Sequence, residues 1–163
     1  MSPAQARLRR MLGSPWLAHA ARSAIAAGIA LALARLLRLP EAYWAPVTTM
    51  VVMQSTLGAA WEVSKQRFIG TALGAATGGL VAAYFAPRVI TFAAAIFVLG
   101  LLCSLLRQDH TAYRFAGITL AIVLLVTRAT SPWLIAAHRF EEVSLGILVA
   151  LALTAIWPAK EAG

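Results

Sequence analysis

Arg67-Phe68-x4-Leu73-Gly74 recurs as Arg139-Phe140-x4-Leu145-Gly146 with identical spacing, and a tyrosine stands 24 residues before Arg67 and 26 before Arg139. A guanidinium offers a fork of N–H donors suited to carboxylates and phosphates. Each arginine falls at or near the expected start of an apolar helix. A cation gains nothing from the helix dipole there. The spacing therefore points to two anion-attracting entrances, reinforced by the exposed N–H groups of the helices that follow. Snorkelling to lipid phosphates is the competing use of the same residues.

Hydroxyls gather on the preceding helix. At 100° per residue, Thr48, Thr49, Ser55 and Thr56 share about 120° of arc, with Trp44 at its edge. Such a row beside an indole suits a polar solute carrying an aromatic ring, although helical hydroxyls also bond their own backbone or a neighbouring helix. Pro46 removes one backbone donor and is expected to open that helix locally. His138, Arg139, Glu141 and Glu142 interrupt an otherwise apolar run. Arg139 and His138 are each spaced to meet Glu142 on one face. Ionisable groups at membrane depth mark pathways or proton relays, which makes His138, Glu141 and Glu142 the candidates for proton coupling. An interfacial, solvated turn is the alternative. Gly70, Gly74 and Gly78 form a double G-x-x-x-G, read as a helix-packing face.

Much chemistry is absent from the sequence. It contains no metal-ligand spacing, nucleophile elbow, phosphate loop or dinucleotide fingerprint, so neither an enzyme nor a cofactor is expected. Cys103 is the single cysteine. The net charge of +8 does not point to nucleic acid, because no Lys/Arg cluster with interleaved aromatics occurs.

Composition supplies the elements that hold these residues. Hydrophobic residues make up 61% and charged residues 12% of 163, with mean hydropathy +0.78. That balance cannot cover a soluble globule and implies an integral membrane protein. The expected fold is all-α, a six-helix membrane bundle over 16–158, with helices near 16–37, 42–57, 68–86, 89–106, 113–127 and 134–157. Residues 1–15 and 159–163 read as cytoplasmic tails. The first apolar run follows a basic stretch, as in a signal peptide, but the five runs after it favour a first transmembrane helix. The runs 42–57 and 113–127 are short for a hydrocarbon core of about 30 Å. Short spans at matching places in two halves point to a transport site, and the bundle is expected to be two inverted three-helix repeats. That symmetry sets Arg67 and Arg139 at opposite membrane faces. Basic residues favour both termini inside, with Lys65, Arg67, Arg107 and Arg114 internal and Arg35, Arg38, Arg88 and Arg128 external.

Tyr43-Trp44-Ala45-Pro46, Val51-Val52-Met53-Gln54, Arg67-x2-Gly70-Thr71-x2-Gly74 and the later Arg139-x6-Gly146 resemble the signatures of the fusaric acid resistance and aromatic acid exporter family. The similarity covers roughly residues 16–158. It implies a bacterial inner-membrane efflux permease for aromatic carboxylates or related anions. In plan the module is also similar to plant aluminium-activated malate channels, which are dimers. Many family members work with a periplasmic adaptor, and larger ones add a cytoplasmic domain or a second membrane half.

The preferred expectation is therefore a homo-oligomeric permease or channel, first of all a dimer, that moves small organic anions through the lipid bilayer. The alternative is a non-transporting membrane subunit or assembly factor that binds a partner through its glycine-rich helix.

Overall fold

The computed structural model describes residues 15–54, 56–126 and 130–157. Residues 1–14 of the expected N-terminal tail, the expected C-terminal tail, Ser55 and Arg128 lie outside them. Among the described residues the chain is all-helical, with six helices: α1 (Pro15–Leu36), α2 (Trp44–Val52), α3 (Leu57–Tyr84), α4 (Val89–Leu105), α5 (His110–Leu125) and α6 (Pro132–Ile156).

Local chemistry explains several of the ends. Thr56 caps α3 by accepting the Ala59 N–H at 3.3 Å, and Ser131 caps α6 by accepting the Leu134 N–H at 3.3 Å, with Pro132 following. Both satisfy one of the unpaired amides at a helix start. Pro46 lies in the first turn of α2, where its missing N–H would have no intrahelical partner, so it opens nothing. The turns that end α1 and α4 match. Arg38 (φ 55°) and Arg107 (φ 51°) take the left-handed conformation; Leu39 N donates to Ala34 O at 3.0 Å and Gln108 N to Cys103 O at 2.9 Å. This six-to-one closure usually carries glycine at the left-handed position.

Two helices depart from their expected lengths. The middle of the expected second helix stops at Val52, leaving α2 with nine residues. At 1.5 Å per residue that is about 14 Å, too short to cross a bilayer alone. In turn α3 begins at Leu57, so residues 58–67, left between the expected second and third helices, form its first turns. A capping threonine outweighed the polar residues that had suggested a loop. Among the described residues only Trp16–Leu36 is both long and apolar enough to cross a membrane; Val89–Leu105 and His110–Leu125 are apolar but shorter. Helix α3 carries Glu62, Lys65 and Arg67, and α6 carries Arg139, Glu141 and Glu142. The exterior is apolar, with Val89 85% and Ile90 83% exposed, which fits a lipid setting better than water.

The long helices α3 and α6 run antiparallel. The Phe68 and Phe140 rings meet at 4.9 Å, and Gly79 lies against Trp133. Helix α5 runs alongside α3 in the same direction, with Gly70 facing Ala112 and Phe115, Gly74 facing Ala116, and Gly78 facing Leu120 and Val123. Helix α2 likewise follows α6, where Gly146 faces Ala45 and Thr48. The core divides accordingly. One cluster joins Ala26, Ala30, Ala34, Ala45, Val52, Val143 and Ala150 of α1, α2 and α6; another joins Ala95, Leu99, Cys103, Ala116, Leu120 and Leu124 of α4 and α5, with Leu73 and Val81 of α3 against it.

Candidate functional site

Arg67 lies in the third turn of α3 and is buried, 4% exposed. Packing against α5 brings its guanidinium 4.5 Å from the centre of the Phe115 ring. Its Nη2 reaches Thr48 Oγ1 of α2 only at 3.4 Å, and its Nε has no partner. Among the described residues Arg67 forms no ion pair.

Arg139, in the second turn of α6, is 1% exposed and stacks 3.9 Å from the centre of the Trp44 ring. Here carboxylates are close. Glu142 Oε2 lies 3.2 Å and Glu41 Oε2 4.0 Å from Arg139 Nη1. Glu41 comes from the α1–α2 connector. Its backbone N–H donates to Glu142 Oε1 at 2.9 Å, while its carboxylate accepts from Tyr43 Oη at 2.8 Å and Trp44 Nε1 at 3.1 Å.

The two arginines do not sit at opposite faces. Trp44 and Thr48 are one turn apart on α2, and each receives one guanidinium. Their neighbours Phe68 and Phe140 touch where α3 and α6 meet. The expectation failed because α3 begins well before Arg67, which lifts that residue away from the helix end.

The hydroxyl row also divides. Thr48 and Thr49 are fully buried, but Thr49 donates to Ala45 O at 3.0 Å and Gly146 O at 3.1 Å, binding α2 to α6. Thr56 is a cap on the next helix and shares no face with them. The nonhelical residues after Val52 broke the assumed periodicity. Trp44 turns inward onto Arg139. Of the candidate proton carriers, Glu142 is fully buried at Arg139, Glu141 is exposed, and His138 is half-buried with no polar contact among the described residues. The expected His138–Glu142 pair is absent because Glu142 is turned to Arg139.

The glycines meet their own chain. A Cβ at Gly70 or Gly74 would overlap the carbonyl oxygen of Ala112 or Ala116, and at Gly78 it would stand 3.0 Å from Val123 Cβ. The face imagined for an external partner is filled by α5.

Sequence reasoning missed several residues. Among them are Glu41 and Phe115, which the sequence marks by no motif or spacing. Trp61 and Trp133 were a usable signal, each six positions before its repeated arginine. Arg22 interrupts the apolar run of α1. It is 1% exposed and donates to Trp157 O at 2.7 Å and to Gln54 O, with His19 Nδ1 3.3 Å away. The cation thus serves carbonyls just beyond the C-terminal ends of α6 and α2, where positive charge is favoured. No group of three or more His, Cys, Asp or Glu gathers for a metal among the described residues.

Buried guanidinium groups packed against aromatic rings in an all-helical, apolar chain define the class as a membrane helical module with a buried cationic centre. The fusaric acid resistance protein-like family matches residues 29–153, and the chain belongs to that family. It is similar to the uncharacterized transporter YdhK of Escherichia coli (strain K12), 31% identical over 151 residues, covering 87% of this chain and 22% of that protein. It is likewise 30% identical over 154 residues to YdhK of Salmonella typhimurium, covering 89% and 23%. The inner membrane protein YeeA of Escherichia coli (strain K12) is 32% identical over 151 residues, covering 87% and 41%. The chain thus spans less than half the length of these relatives. No solved structure matches it.

Proposed function

We propose that this chain is a transport module of the bacterial inner membrane that moves organic anions, aromatic carboxylates first among them, in the outward direction. The observation that carries the reading is Arg67, a cation 96% removed from solvent and without an ion-pair partner among the described residues. Desolvating an unpaired charge costs several kcal/mol. An anion arriving from solution offsets that cost as no fixed group of the site does. The rings of Phe115 and Trp44 beside the two guanidinium groups suit a flat aromatic acid. Family membership and relatives named as transporters or inner membrane proteins agree with this reading.

Two inverted three-helix repeats fit the same picture. The matched turns at Arg38 and Arg107 support them. So does the crossed pairing in which Arg67 of the first half stacks on Phe115 of the second, and Arg139 of the second on Trp44 of the first. Glu142 is the proton carrier favoured by burial, both termini face the cytoplasm, and the working unit is a homodimer in the bilayer, with a periplasmic adaptor as a further partner.

The test is benzoate flux in proteoliposomes. The wild-type chain moves benzoate, and Arg67→Gln abolishes the flux while the protein stays folded. Equal flux in the two would remove the basis of the reading.

A further inference from the structure

Four buried hydroxyls among the described residues share one habit. Thr49 Oγ1 donates to Ala45 O at 3.0 Å, Ser64 Oγ to Ala60 O at 2.7 Å, Thr119 Oγ1 to Phe115 O at 3.0 Å and Thr154 Oγ1 to Ala150 O at 2.8 Å. Each returns its proton to the carbonyl one turn back, the usual way a hydroxyl is satisfied inside a helix. Thr71 departs from the habit. It is fully buried, and its Oγ1 has no partner among the described residues.

One turn earlier on the same face of α3 stands Arg67, whose Nε is also unpartnered. Helical side chains lean toward the N-terminus, so the Thr71 side chain lies over the turn that carries Arg67. Gly70 and Gly74 flank Thr71 in sequence and pack on the backbone of α5, which fixes that turn. A buried donor left unmade costs about 1–3 kcal/mol. Two of them in successive turns, one on an unpaired cation, describe a place for an acceptor that is itself negative. Ser23 on α1 also lacks a partner, but the adjacent Arg22 is already engaged by the Gln54 and Trp157 carbonyls.

We propose that Thr71 is the second donor of the anion site: its hydroxyl hydrogen-bonds one oxygen of a monocarboxylate whose other oxygen is held by Arg67. This rests on the organic-anion reading above and makes Thr71 a specificity-determining residue. An ionised carboxylate presents two acceptor oxygens and no proton, which matches two donors. A carboxamide of the same shape turns an NH2 toward one of them and is rejected.

The experiment measures KM and Vmax for benzoate in proteoliposomes of the wild-type chain, Thr71→Val, Thr71→Ser and Arg67→Gln, with benzamide as competitor. Thr71→Val, which removes the hydroxyl and keeps the shape, should raise KM about tenfold, the worth of one hydrogen bond to a charged group, at nearly unchanged Vmax. Thr71→Ser should stay within about twofold of wild type, and benzamide should not compete. Wild-type KM in Thr71→Val overturns the proposal, as does a Thr71→Ser defect as large as that of Thr71→Val, which would mark a packing role. If Arg67→Gln alone is inactive, the anion reading survives and only Thr71 loses its role. If the wild-type chain moves no benzoate, both fall.

Discussion

Arg67 and Arg139 occupy matching stations in opposite electrostatic states. Each stacks on an aromatic ring of a short helix from the other half of the chain, and each precedes the phenylalanine that joins α3 to α6. Arg139 is held by Glu142 at 3.2 Å and approached by Glu41 at 4.0 Å. Arg67 has a long hydrogen bond to Thr48 and no carboxylate partner among the described residues. The connectors make part of the difference. The α1–α2 connector brings Glu41 to its arginine, whereas the α4–α5 connector carries Asp109, whose carboxylate accepts instead from Gln66 Nε2 at 3.0 Å. One plan thus yields an ion pair at one station and, at the other, a buried cation with no carboxylate partner among the described residues.

The sharpest way to break this contrast is to neutralise each arginine. Arg139→Gln leaves Glu142 buried without that partner and should destabilise the fold by about 3–5 kcal/mol, read as a large fall in melting temperature in detergent. Arg67→Gln should lower it far less, because no carboxylate is orphaned; equal losses would dissolve the distinction. Glycine substitutions come next. Gly74→Val and Gly146→Val each force a side chain into a neighbouring backbone and should cost about 1–3 kcal/mol in similar measure if the two helix pairs are equivalent. Thr49→Val removes the hydroxyl that ties α2 to Gly146 and should cost about 1 kcal/mol in melting experiments, without a change in benzoate KM. The smallest effects belong to the turns. Arg38→Gly and Arg107→Gly relieve a left-handed arginine and should each raise stability by about 1 kcal/mol or less.

Parts of this were legible in advance. The apolar runs announced six helices, and the repeated Arg-Phe-x4-Leu-Gly marked the two stations, because both signals are local and periodic. The hydroxyl face was misread for an equally local reason. A helical wheel assumes an unbroken helix, and α2 ends at Val52, so Thr56 became a cap. The glycines were recognised as a packing face, but their partner α5 lies far along the chain, and spacing carries no information about which helix answers it.

By itself the sequence determined an all-helical apolar chain, two matched arginines, and the small residues that let helices approach, since composition and periodicity record what each segment needs from its surroundings. Tertiary structure alone decided that both arginines converge on α2, that Glu41 approaches only one station, and that Arg67 and Thr71 are left with unmet donors among the described residues. Those outcomes depend on which distant side chains arrive within hydrogen-bond range. The electrostatic state of a buried cation is set by the groups within a few ångströms of it, wherever in the chain they come from.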